Sequence, residues 1–141
     1  MVLIKEVSII FLFFIMFFCM GCNKDIKTTS NPTPYPSETA IKNGDVVRTN
    51  NGMSYNTEKL EKFTENVNER NKDKIRIAQY TTEGGAILTD LEYDGKKIKY
   101  TNDSTRDGFG ARTIEKKTFN SIYEKDSTYH LKNSSEDIGI Y

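Results

Sequence analysis

Apolar residues fall into three regimes along the chain. Val7 to Met20 is an unbroken apolar run, Asn23 to about Asn43 holds almost none, and from Gly44 onward apolar and polar positions alternate with recognisable periods. The clearest helical stretch begins at Asn56, a favourable N-cap residue, with Tyr55 before it and Leu60 placed to form a hydrophobic staple. Leu60, Phe63 and Val67 recur at i, i+3 and i+7 while Glu58 and Lys62 form an i, i+4 pair on another face, so one stripe is buried and the rest solvated. Arg70-Asn71-Lys72-Asp73 closes the element, which predicts a helix over about residues 57–70.

The period then changes to two. Lys74–Thr81, Ala86–Tyr93 and Lys96–Thr101 read as three antiparallel strands separated by Gly84-Gly85 and Asp94-Gly95. Asp-Gly favours a two-residue type I′ turn, which pairs Tyr93 with Lys96, Leu91 with Ile98 and Thr89 with Tyr100, and on the other face Glu92 with Lys97 and Asp90 with Lys99. A three-residue loop, Glu83-Gly84-Gly85, pairs Ile77 with Leu91 and Arg76 with Glu92. These registers gather Ile75, Ile77, Ile87, Leu91, Tyr93, Ile98 and Tyr100 on one face for the helix to cover, and a slip of one residue would invert the middle strand. The pattern weakens after Asn102, where one further hairpin is expected, and Ile138, Ile140 and Tyr141 are the docking residues of an otherwise loose tail. The expected fold is α+β: one N-terminal helix, about 57–70, packed on an antiparallel sheet of about four to five strands, in a single small domain over 44–141.

The apolar run has Lys5 before it and Gly21-Cys22 after it. It is shorter than the roughly 20 residues a membrane-spanning helix needs and fits the core of an export signal. Cys19-Met20-Gly21-Cys22 resembles the lipobox of bacterial lipoprotein precursors, although Cys19 and Met20 depart from its usual Leu and small residue. The resemblance implies a signal peptide over 1–21 and acylation of Cys22, which would hold the chain on the extracytoplasmic face of the cell membrane. Palmitate-type chains suit this role, since each buried methylene contributes about 0.8 kcal/mol. Residues 22–43, with Pro32, Pro34 and Pro36, read as a flexible linker whose r.m.s. reach is roughly 25 Å.

Charge and cysteine content narrow the chemistry. The formal net charge is zero, and loss of the signal removes Lys5 and Glu6 together, so no basic excess points to a nucleic-acid partner. With Cys19 removed and Cys22 acylated, no cysteine is left for a disulfide, a thiol nucleophile or a zinc site.

Several strings stand in order along the chain: Asp45-Val46-Val47, Tyr55-Asn56, Asp73-Lys74-Ile75-Arg76-Ile77 with Gln79-Tyr80-Thr81, Asp90 through Tyr100, and Arg106-Asp107 with Phe109-Gly110. Together they resemble an uncharacterised domain family of predicted lipoproteins from Bacillus-type Gram-positive bacteria, over about residues 44–110. The resemblance implies a cell-surface lipoprotein and carries no activity or site residues.

Candidate chemistry is sparse. Asp103-x-Thr105-x-Asp107-Gly108 imitates the first half of a calcium loop, but position twelve is Ile114 where a bidentate Glu belongs. That leaves Asp103, Thr105 and Asp107 as weak metal candidates, with no cofactor expected. His130 is the single histidine, and neither a paired Cys nor a Gly-x-Ser-x-Gly turn exists to build a nucleophile around it. Asp90 and Glu92 share a strand face with cationic neighbours, which favours ionised carboxylates on a salt-linked surface over an acid–base pair. Tyr80, expected opposite Leu88 on the polar face, is the candidate surface contact. The reading is a non-enzymatic binding or interaction module with a cell-surface protein or glycan as partner. Its alternative is a cell-envelope hydrolase or calcium-dependent domain built on the 103–115 loop, with Asp103, Asp107, Glu115 and His130 converging.

Overall fold

In the computed structural model, residues 32–141 are described; Cys22, the signal and most of the linker lie outside them. Among the described residues two helices and nine strands follow in order: α1 Ser37–Asn43, β1 Val46–Arg48, β2 Ser54–Tyr55, α2 Glu58–Asn68, β3 Asp73–Tyr80, β4 Ala86–Tyr93, β5 Ile98–Asp103, β6 Ile114–Phe119, β7 Ser121–Lys125, β8 Thr128–Lys132 and β9 Asp137–Gly139. The fold is α+β. A six-stranded mixed sheet runs β2-β1-β3-β4-β5-β6, and β7-β8-β9 form a separate antiparallel sheet. The sheet is larger than the four or five strands expected, and it is mixed because β1 lies parallel to β3, with α2 in the connection between them.

The expected stripe of α2 is buried, with Leu60 and Phe63 fully covered and Val67 nearly so. Burial of each such side chain contributes about 1.5–3 kcal/mol. They meet Ile77, Leu91, Ile98 and Phe119 from the large sheet, and Ile122, Leu131 and Ile140 from the small one. The tail is therefore part of the core: β9 pairs with β8, and Ile138 and Tyr141 pack beside Ile140.

The start of α2 differs from expectation. Thr57 is the N-cap, and Asn56, at φ +56°, turns its amide to the carbonyls of Asp45 (2.7 Å) and Ile41 (3.3 Å). Tyr55 and Leu60 enter different cores, so the staple does not form. The end is a Schellman motif: Asn71 N–H donates to the Asn66 carbonyl at 2.8 Å and Arg70 N–H to Val67 at 3.2 Å, with Arg70 left-handed at φ +63°.

Both hairpins shift by two residues from the predicted registers. Gly84, at φ +83°, takes the third position of a loop that is Thr82-Glu83-Gly84, closed by Thr81 N–H on the Gly85 carbonyl at 2.9 Å. Arg76 consequently faces Asp90, Ile77 faces Thr89, and Tyr80 faces Ala86. Gly95, at φ +96°, is the first central residue of its turn, closed by Asp94 and Lys97, so Leu91 faces Tyr100 and Glu92 faces Lys99. Gly in that position suits a type II′ turn better than the type I′ expected. A displacement of two preserves the face of every side chain, so the apolar grouping survives. Ile87 is half-buried and outside both cores.

The second face of the sheet holds a second, smaller core. Residues 37–43, read as linker from sequence, form α1, whose Ala40 packs with Val47, Ala78, Ala86 and Leu88, flanked by Tyr35, Ile41, Tyr55 and Tyr80. Only Ala40 is fully covered in this short helix, which is too little apolar periodicity to be read before the sheet exists.

Candidate functional site

Beyond α1, the outer face of β3–β6 is uncovered among the described residues. The registers set its side chains in two rows, Lys74-Glu92-Lys99-Thr118 and Arg76-Asp90-Thr101-Lys116. Polar residues occupy these positions because the alternation that buries Ile75, Leu91 and Tyr100 on the inner face sends them outward. Arg76 grips Asp90 through two bonds, Nε to Oδ1 at 2.6 Å and Nη2 to Oδ2 at 2.8 Å. The Asp90 bonds raise the guanidinium pKa further above its already high value, against the smaller opposing effect of burial. The Lys99 ammonium lies 3.9 Å from Glu92.

The α1–β1 turn overhangs this face and converts one part of it into a cleft of about 460 Å³, lined by Asn43, Asp45, Lys59, Arg76, Asp90 and Glu92 among others. Its rim is a hydrogen-bonded set: Tyr35 hydroxyl donates to Asp45 Oδ2 at 2.6 Å and accepts from Asn43 Nδ2 at 3.0 Å, while Lys59 donates to the Gly44 carbonyl. A second hollow of about 510 Å³ continues across Asp90, Glu92, Lys99, Lys116 and Thr118. The two share Asp90 and Glu92, so one polar groove crosses four strands with four cations and two carboxylates in its rows. Such a surface can recognise a polar partner bearing carboxylates or other acceptors through paired, directional bonds.

The residues singled out from sequence are distributed elsewhere. Cys22 lies outside the described residues. Asp103 has both carboxylate oxygens engaged: Oδ1 accepts from Thr105 N (2.9 Å) and Oγ1 (2.5 Å), and Oδ2 from Arg106 Nη1 at 2.5 Å. Burial raises the Asp103 pKa, but the bonds from Thr105 and Arg106 outweigh it and leave the carboxyl below the usual range. Arg106 thus stands where a cation would. Asp107 is buried and accepts from Phe109 N–H at 3.2 Å. Glu115 pairs with Lys117 at 3.1 Å, and Lys117 also reaches Glu136 at 2.9 Å. His130 belongs to the small sheet, stacked on Tyr123 with centroids 5.3 Å apart and 3.3 Å from Asp137. Each of the four residues of the hydrolase alternative therefore sits in its own local network. Among the described residues no three His, Cys, Asp or Glu side chains gather as a metal-binding set.

Tyr80 is half-buried against the second core, and its hydroxyl donates to the Tyr35 carbonyl at 2.8 Å. Burial, with the nearby Tyr35, Asp45 and Glu38, pushes its pKa up to about 12. The rim residues Tyr35, Asp45 and Lys59 escape sequence reasoning, because nothing local marks positions that only α1 brings to the sheet. The cationic neighbours of Asp90 and Glu92 were legible from alternation.

A family model described as a domain of unknown function, DUF4362, matches residues 43–132. No curated protein and no solved structure matches the chain.

Proposed function

The chain belongs to the DUF4362 family of domains of unknown function, and we propose that it is an extracytoplasmic lipoprotein of a Gram-positive envelope, anchored through Cys22. Its domain acts as a non-enzymatic interaction module. The observation that carries the binding reading is the open polar groove: an uncovered sheet face with a bidentate Arg76–Asp90 pair at its centre, and Lys74 and Lys116 beyond it. Lys59, Asp45 and Tyr35 close one side. The partner suited to it is a cell-surface protein or glycan presenting hydrogen-bond acceptors.

The anchor reading rests on the apolar run ending in Gly21-Cys22 and on the proline-bearing residues that follow. The hydrolase and calcium alternatives gain no support, since both Asp103 oxygens already accept bonds, from Thr105 and Arg106.

The test is crosslinking and pull-down from intact cells with three chains: the parent, Cys22→Ala, and Arg76→Ala/Lys116→Ala. The groove reading expects a partner captured by the parent and lost from the double variant while its thermal unfolding stays cooperative. Capture undiminished by the double variant refutes the groove as the site. Cys22→Ala is expected to lose incorporation of labelled palmitate, and incorporation undiminished in that variant refutes the anchor. Calcium binding at micromolar concentration that Asp107→Ala abolishes would replace the binding reading with the calcium one.

A further inference from the structure

Three loops lie at the same end of the six-stranded sheet. The parallel pairing of β1 with β3 and the antiparallel pairings that follow place 49–53, 81–85 and 104–113 together there. Among the described residues, the exposed large hydrophobic side chains are Met53, 49% exposed, Phe109, 82%, and Ile114, 57%. All three are at this end, on the loops or on the first residue of β6. The turn at the opposite end, Asp94-Gly95-Lys96-Lys97, is charged.

Phe109 is held outward by the structure around it. Asp107 accepts the Phe109 N–H, and a Cβ on Gly110 would approach Asp107 Oδ2 to 2.5 Å, so the loop is folded tightly over the buried carboxylate. Arg106 and Arg112 flank the tip in sequence, and Arg112 Nε donates to the Thr105 carbonyl at 3.2 Å.

The chain also enters the domain at this end. Tyr35 accepts from Tyr80 at the end of β3, and Pro36 and Ser37 line a hollow of about 500 Å³ with Met53 and Gly84. Tyr35 is thirteen residues after Cys22, so the two are separated by at most about 45 Å of chain.

We propose that this loop end rests on the lipid surface that anchors the chain, with Phe109 seated at headgroup level and Met53 and Ile114 beside it. The proposal rests on acylation of Cys22. A tether attached at the same end keeps these side chains at high local concentration near the bilayer, so contacts too weak to recruit a free protein suffice. Aromatic residues favour the interface, where an apolar ring meets the acyl chains just below the headgroups. Docking in this pose leaves the polar groove on the flank of the sheet, open to a partner.

The test uses the full-length protein purified from membranes and reconstituted into vesicles of phosphatidylglycerol and phosphatidylcholine carrying a lipid-borne quencher. Gly108→Cys receives a thiol-reactive fluorophore, since a side chain there meets nothing within 4 Å, and Lys96→Cys reports the far end. The proposal expects stronger quenching at 108 than at 96, and loss of that difference when Phe109→Ala is added. Equal quenching at the two positions overturns it. Quenching at 108 as low as at 96 in vesicles, with 108 shielded in intact cells, assigns the surface to a protein and also overturns it. The parent chain should take up no fluorophore, because acylation blocks Cys22 and cleavage removes Cys19. Labelling of the parent refutes the anchor itself, which separates that failure from failure of the docking.

Discussion

Gly85→Ala probes how the β5–β6 loop is held. Gly85 needs no left-handed backbone, yet a Cβ built on it would lie 2.8 Å from Asp107 Cα and 3.3 Å from the Arg106 carbonyl, where ordinary contact begins at 3.4 Å. Both are backbone atoms, so relief requires the loop to move as a unit. Overpacking of this kind costs about 1–3 kcal/mol. Two neighbours separate this steric cost from glycine's conformational role. Gly84 has open space but a φ of +83°, so Gly84→Ala should cost about 1–2 kcal/mol. Gly108 has open space and no positive φ, so Gly108→Ala should be neutral or stabilise by about 0.4–1 kcal/mol through the unfolded chain. Urea unfolding reads all three, and with a slope of about 1–3 kcal/mol/M a 2 kcal/mol loss moves the midpoint by about 1 M. Limited trypsin digestion supplies a local readout at Arg106 and Arg112, which should be cut faster in Gly85→Ala and unchanged in Gly84→Ala. If Gly85→Ala follows Gly108→Ala in both assays, the close approach does not constrain the loop and the reasoning fails.

Other perturbations test the remaining structure. Phe119, fully buried and edge-on to Tyr100 at 5.7 Å, should lose about 3–5 kcal/mol on replacement by Ala, measured by thermal unfolding. Arg70→Gly should stabilise by up to about 1 kcal/mol, because it removes left-handed strain in the Schellman turn and gives part back as chain entropy; a lower unfolding midpoint would contradict this. Tyr80 has its folded pKa raised from 10.0 to about 12, so its contribution is complete below pH 10 and is lost as pH rises toward 12. Tyr80→Phe should flatten the stability profile in that window and cost about 1 kcal/mol at neutral pH through the lost bond to Tyr35. An unchanged alkaline profile would show that Tyr80 is not the titrating group.

Much of the core could be read from periodicity. Leu60, Phe63 and Val67 declare their stripe by spacing, and the alternation in β3–β5 sorts Ile75, Leu91 and Tyr100 from Arg76, Asp90 and Glu92. The registers were missed by two residues because Gly84 and Gly95 each take a different turn position from the one their neighbours suggest. The polar groove was half legible: its floor follows from alternation, whereas its wall comes from α1, whose seven residues carry one fully buried side chain.

What the sequence by itself determined is which face the residues of α2 and β3–β5 occupy, because side-chain direction repeats with the backbone and survives a two-residue slip. Tertiary structure decided what covers those faces. The parallel seat of β1, the docking of α1, the second sheet and the gathering of Met53, Phe109 and Ile114 at one end all join residues far apart in the chain. Such contacts depend on the summed burial and shape of surfaces that exist only after folding, so no local pattern announces them.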